Sequence, residues 1–276
     1  MSRLLNAEFS RLWKNRFFYM LLLFMFAFGL VVQIFQYLDH TYTGLDWQTE
    51  TGFFAYSCVI GILQAAFISL FTGTEYSDGT IRNKLILGHS RSAIYLAVLI
   101  VNTAAGLLMC IAFMFGSLLT GLPLSGFFTN DIRMILVMVL CTFFMTLSFT
   151  SLAHLTAMLC QSRAAASVIN LLCVFLLLFS SVMIQARLQE PELYEYYYLN
   201  DAGEVSLSDP EPNPGYLRGT KRQVYEFLDD FLPTGQSLAL TQLEVENPLR
   251  LDLYSAAITI VSTGVGIFVF RRKDIK

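Results

Sequence analysis

Six apolar runs, each about twenty residues or longer and free of Asp, Glu, Lys and Arg, constrain this chain more than any other feature. They span Phe17–Leu38, Gly52–Thr74, Ser92–Leu119, Met134–Cys160, Ala164–Ala186 and Leu253–Phe270. At a rise of about 1.5 Å per residue, each crosses a hydrocarbon core about 30 Å thick as a helix. The third and fourth are longer than that needs, so they tilt or project beyond the bilayer. Charged residues make up 14% of the chain, against about 25% in soluble domains. The expected fold is therefore an all-α integral membrane protein, a single domain over residues 1–276. The first run is too long for the apolar core of a secretory signal, and "QIFQYLDHTY" after it offers no small-residue cleavage site, so it is read as a span.

The charges between the runs set an orientation. Arg3, Arg11, Lys14 and Arg16 precede the first span; Arg82, Lys84 and Arg91 lie between the second and third. Arg163 lies between the fourth and fifth, and Arg271, Arg272, Lys273 and Lys276 follow the last. With six spans all of these fall on one side. Asp39, Asp46, Glu50 and Asp131, accompanied by Arg133, fall on the other, with a long acidic segment at 187–252. Lys and Arg collect on the cytoplasmic side, so both termini are expected there. Residues 1–16 space Leu5, Phe9, Leu12 and Trp13 along one face, with Arg3, Asn6, Ser10 and Lys14 on others, which predicts an interfacial amphipathic helix.

The outer segment opens with "YEYYY" at Tyr194–Tyr198, an interfacial aromatic patch. "NDAGEVSLSDPEPNPGYLRG" is rich in turn formers and is read as a loop. Val224, Phe227, Leu228 and Phe231 then recur at i, i+3, i+4 and i+7, predicting a short extracellular helix before the last span, stopped at Pro233.

One polar stretch, "EYSDGTIRNKL" from Glu75 to Leu85, interrupts the apolar body. Ser77 and Asp78 are candidate N-caps. Ile81 and Leu85 share one helix face, as do Arg82 and Ile86. Gly88 suits a C-terminal stop, and Ser90 starts the next span. A short helix over 75–88 is expected at the cytoplasmic surface.

This stretch resembles the coupling-helix region of permease subunits of ATP-binding cassette (ABC) type 2 exporters. Their E-x-x-x-G-T-[IL]-[RK] pattern is matched by Glu75, Gly79, Thr80, Ile81 and Arg82, and an SR-x-x-[IL]-Y element by Ser90, Arg91, Ile94 and Tyr95. "FRRKDI" at the chain's end, "FLDDFLPTGQ" in the outer segment and the six-span plan fit the same family. The resemblance implies that Glu75, Tyr76, Asp78, Gly79, Thr80, Ile81, Arg82, Lys84 and Leu85 bind a cytoplasmic ATPase. It implies two ATPase subunits and a second permease copy or a sister permease, in a bacterial cytoplasmic membrane. No G-x-x-x-x-G-K-[ST] phosphate loop occurs in the sequence, so ATP and Mg are expected on the partner and no cofactor on this chain.

Gln64, Asn102, His154 and Asn170 are the polar residues within the spans that either line a pathway or bond between helices, and Gln33 belongs with them. Interhelical bonding is the favoured reading. The five cysteines lie in or beside apolar runs with no C-x-x-C pair, and the three histidines lack ligand-like neighbours, so neither a disulfide framework nor a metal site is expected. An intramembrane enzyme would need paired carboxylates, a G-x-S-x-G elbow or a His cluster, none of which is found. An export permease for an amphipathic or hydrophobic substrate (peptide, lipid or drug) is the leading reading. A non-transporting membrane sensor or assembly partner is the alternative from another class. Nucleic acid is not an expected partner; membrane lipid is.

Overall fold

A computed structural model describes residues 1–44, 49–199 and 205–273. Asp46, Lys276, the last residues of "FRRKDI" and the first residues of the expected outer loop lie outside these. The fold is helical, with six helices among the described residues long and apolar enough to cross a membrane. The spans are α2 (Arg16–Thr43), α3–α4 (Thr49–Phe53 and Ser57–Ser77), α6 (Arg91–Ser125), α7 (Ile132–Cys160), α8 (Arg163–Leu188) and α11 (Pro248–Arg272). All six expected spans are present, each extended by a few residues. Helix α1 (Ser2–Trp13) precedes them, and the short helix α5 (Thr80–Ile86) lies between the second and third.

Local signals start these helices. The Asn15 Oδ1 accepts from the Phe18 amide at 3.1 Å to open α2. The Ser90 and Ser162 hydroxyls accept from Ala93 and Ala165 to open α6 and α8. Each bond satisfies an amide left orphaned by the first turn.

The centre of the bundle is a buried cluster of apolar and aromatic side chains, including Phe67, Phe71, Val101, Met109, Phe113, Met145 and Phe149. Two glycines set the α2–α6 distance. A Cβ on Gly29 would stand 2.4 Å from the Phe113 carbonyl oxygen, and one on Gly116 2.2 Å from that of Phe26. Small residues permit such approach where lipid tails supply no hydrophobic drive between helices. At the same contact Gln33 Nε2 donates to the Ser117 hydroxyl at 2.7 Å and to the Thr49 carbonyl at 3.0 Å, joining α2, α6 and α3. The buried Glu50 carboxylate accepts from the Asn130 amide at 2.7 Å and the Thr129 hydroxyl at 2.9 Å, tying down the α6–α7 connection.

The two ends of the bundle differ. At one, the Tyr76 hydroxyl donates to the Met158 carbonyl at 2.6 Å and Arg91 to the Phe270 carbonyl at 3.1 Å. Lys273 donates to the Leu159 carbonyl. These contacts gather the ends of α4, α6, α7 and α11, together with their Arg and Lys residues. The opposite end carries the long segment after α8.

That segment departs from expectation in two places. The run predicted to be a loop contributes two strands to an interrupted hairpin: β1 (Leu193–Tyr194) pairs antiparallel with β4 (Glu211–Pro212), and β2 (Tyr197–Leu199) with β3 (Val205–Leu207). The tyrosine run supplies partners for backbone groups that the turn-forming composition alone left unpaired. Pro233, expected only to stop a helix, separates two: α9 (Gly219–Phe231) and α10 (Pro233–Gln242), where it occupies the first turn. Proline is favoured there because its missing N–H is an orphan position. The return from α9 to α10 needs Gly235, where a Cβ would lie 2.1 Å from the Asp229 carbonyl oxygen. α10 is buried: Thr234 donates to the Leu177 carbonyl at 3.0 Å, and Ser255 to Gln236 Oε1 at 2.7 Å.

α1 also lies differently from its expected amphipathic face. Leu4, Glu8 and Leu12 are buried against the bundle, Leu5 and Phe9 are half-buried, and Trp13 is exposed. The apolar edge is thus shared between protein and surroundings, and a carboxylate is turned inward.

Candidate functional site

At the basic end α4 runs into Ser77 and stops with Asp78 in its C-cap position. Gly79 follows with φ 66°, and α5 starts at Thr80. Ser77 and Asp78 are therefore not the N-caps of this helix: Gly79 holds that place because the backbone must turn through the left-handed region, which costs a residue with a Cβ. The Thr80 hydroxyl reaches back to the Glu75 carbonyl at 3.0 Å. Gly88, with φ 84°, ends the turn after α5 as expected.

A helix of two turns has little stability of its own, and α5 is held by what it packs on. Ile81 is buried with Tyr95, Leu99, Met158 and Phe270, and Leu85 packs beside Leu4, Ile94 and Ala97. Four charges complete the attachment. Lys84 Nζ lies 2.8 Å from Glu75 Oε1 and contacts Glu8; Arg11 contacts Glu75 and lies 3.2 Å from Glu8 Oε2. The Arg11 guanidinium sits over the Phe71 ring, 3.8 Å from its centroid. Burial alone would raise the Glu8 carboxyl. The charges of Arg11 and Lys84 hold it below its ordinary value. Two carboxylates and two cations, each carboxylate touching both cations, bind α1, α4 and α5 into one block.

The residues predicted to meet an ATPase divide accordingly. Glu75, Tyr76, Ile81, Lys84 and Leu85 are turned toward the chain's own interior and form the base of the block. Asp78 and Arg82 are exposed, with Gly79 and Thr80 half-exposed. The outward surface is completed by Asn83, Ile86 and Leu87, which were not among the predicted site residues. Ile86 and Leu87 are 74% and 77% exposed, well above the usual state of such side chains. The signal for them was "LIL" at Leu85–Leu87: apolar residues on consecutive positions point to different helix faces, and one face alone can be buried.

Inside the spans, Asn102 Nδ2 donates to the Thr72 hydroxyl at 3.2 Å and to His154 Nδ1 at 3.1 Å. His154 Nε2 lies 3.1 Å from the Tyr95 carbonyl oxygen. A carbonyl only accepts, so the network assigns the proton to Nε2 and leaves Nδ1 as acceptor. Asn170 donates to the Ser69 hydroxyl at 2.8 Å and the Ala153 carbonyl at 3.1 Å. Three of the four residues considered as pathway lining thus bond between helices of this chain. Gln64 is fully buried against Gly106 and Thr146, without a hydrogen-bond partner among the described residues.

At the other end, a cavity of about 620 Å³ lies between the C-terminal end of α8, α9 and the α10–α11 connection. Arg222 pairs with Glu226 at 2.9 Å and Arg250 with Asp230, while Asp229 and Glu244 also line it. Burial, the largest cause, and the charge of Glu244 push Asp229 up to about 6 from 3.8, against a hydrogen bond from Gln185. A carboxyl whose folded value is raised favours folding when protonated. Its stabilising contribution is complete below about pH 4 and is lost as pH rises through about 6. Thermal melting followed across that window is expected to show falling stability with rising pH, and Asp229→Asn to flatten the dependence.

Residues 1–200 match the family model described as ABC-2 type transporter. No curated protein matches the chain.

Proposed function

The chain belongs to the ABC-2 type transporter family, and from that premise we propose that α5 is the lever through which separate ATPase subunits drive it as an export permease. Its membrane domain is the transporter's permease component; the phosphate-binding and hydrolysing machinery resides on the partners, where ATP and Mg bind. The observation that carries the assignment is the build of α5. A seven-residue helix stands between two spans with Arg82, Asn83, Ile86 and Leu87 outward, while its opposite face is packed and ion-paired to α1 and α4. An exposed apolar pair ringed by polar groups suits a protein–protein contact. A rigid base lets a push on that contact move α4 and α6 as bodies rather than being dissipated in a loop. The basic end is then cytoplasmic, two permease copies or a copy and a sister form the complex, and substrate leaves outward. Spans without charges at their centres suit an amphipathic or hydrophobic substrate such as a peptide, a lipid or a drug.

The test uses the permease reconstituted with its ATPase. Leu87→Asp combined with Ile86→Asp is expected to lower ATPase capture by at least about tenfold, in the range that loss of a central apolar contact produces. Membrane insertion and thermal melting should be unchanged, because neither side chain packs on this chain. Bulky residues at Gly79 and Thr80 are expected to leave capture partly intact but to separate ATP hydrolysis from transport. Normal export by these variants would refute the lever.

A further inference from the structure

The four-charge cluster has an effect on the outside of α1. Glu8 is the carboxylate of this helix, and the cluster draws it inward with Arg11. The exposed formal charges of residues 2–16 are then all positive: Arg3, Lys14 and Arg16. Arg3 and Lys14 stand about three turns apart and so share one edge of the helix. The neighbouring edge is apolar, with Leu5 and Phe9 half-buried and Trp13 48% exposed, its ring edge-on to Phe18 at 6.0 Å. Tyr19, Met20, Leu23 and Phe24, just beyond it on α2, are exposed too, and α2 is long and apolar enough to cross a membrane. Among the described residues, Asp78 is the exposed carboxylate at this end of the bundle, and it belongs to the α4–α5 turn.

We infer that the outward edge of α1 is a docking surface for anionic phospholipid headgroups, with Arg3 and Lys14 engaging the phosphates while Trp13 and Phe9 reach the acyl boundary. The chemistry is complementary on both sides: cations at headgroup depth attract anionic lipid, and the adjoining aromatic edge matches the interface just below. The surface leads along the chain into the exposed apolar residues of α2, which selects a lipid over a soluble acidic partner. The inference rests on membrane insertion alone, so it stands or falls separately from ATP-driven export.

Trp13 is itself the reporter. The chain has two tryptophans, and Trp47→Phe leaves Trp13 alone. The protein is placed in phosphatidylcholine nanodiscs containing a low fraction of either phosphatidylglycerol or phosphatidylcholine with brominated acyl chains. At about fivefold local enrichment per engaged cation, brominated phosphatidylglycerol is expected to quench Trp13 severalfold more than brominated phosphatidylcholine at equal fraction. Arg3→Gln with Lys14→Gln should bring the two to the same level without changing the melting temperature. Equal quenching in the parent protein, weak quenching by both lipids, or a preference that survives the double substitution would each overturn the assignment. Should Trp47→Phe fail to fold, native mass spectrometry of the otherwise unchanged protein makes the same comparison. Retained phosphatidylglycerol should exceed phosphatidylcholine and fall in the Arg3/Lys14 variant; equal retention would overturn the inference.

Discussion

Glu75→Ala is expected to destabilise the detergent-solubilised protein by about 2–3 kcal/mol. Removing one member of a buried ion pair costs about 3–5 kcal/mol because its partner keeps a charge it cannot hydrate. Here Lys84 and Arg11 retain 15% and 29% exposure, so water recovers part of that loss. The effect is specific in a way that simple loss of packing is not. Glu75→Ala leaves two cations sharing Glu8, so Lys84→Met in that background should restore much of the stability by removing the excess charge and leaving Arg11 with Glu8. The cycle of two single variants and the double isolates the coupling between α4 and α5. If the double variant is as unstable as the sum of the singles, the cluster is not the fastening described. In the reconstituted complex, Glu75→Ala should also lower transport per ATP hydrolysed, because α5 then moves without carrying α1 and α4 with it.

Gly116→Leu is expected to have a larger effect: loss of folded protein from the membrane fraction. Its Cβ alone would stand 2.2 Å from a backbone oxygen of α2, and backbone cannot rotate aside as a side chain can. The helices must separate, which also pulls Ser117 from Gln33 and Gln33 from Thr49. Gly116→Ala should be milder but still costly, with the melting temperature clearly lowered. Gly264→Ala is the control: nothing lies within 4 Å of its Cβ position, and it should be neutral. Equal stability of the Gly116 and Gly264 variants would show that the two helices do not approach as described.

Much of the candidate site could be read from residues 75–90, yet the direction in which its side chains face could not. Gly79, Gly88 and Ser90 announce turns and caps through their own conformational preferences. Glu75 and Lys84, by contrast, look like ordinary members of a solvated polar helix. Their burial depends on Glu8 and Arg11, which belong to another helix far away in sequence. The same dependence reversed part of α1: its period marks Leu5, Phe9, Leu12 and Trp13 as the apolar face, while the bundle buries Leu4 beside Leu12, leaves Trp13 exposed and provides cations for Glu8. In the outer segment, Pro233 carries the same local meaning whether a helix ends before it or begins with it. The partners of α10 decide that.

What the amino-acid order determined unaided was the number of spans, the apolar middle of each and the segregation of basic from acidic connections. Each span partitions into hydrocarbon on the summed transfer energy of its own side chains, so no neighbour is needed to recognise it. Packing decided the rest: which face of α1 turns inward, that α5 rests on four charges, that α10 enters the bundle, and that Ile86 and Leu87 stay outside. Those outcomes depend on which distant groups come within a few ångströms of one another, and a buried charge or a close backbone approach acquires its energy only when the chain has brought both sides together.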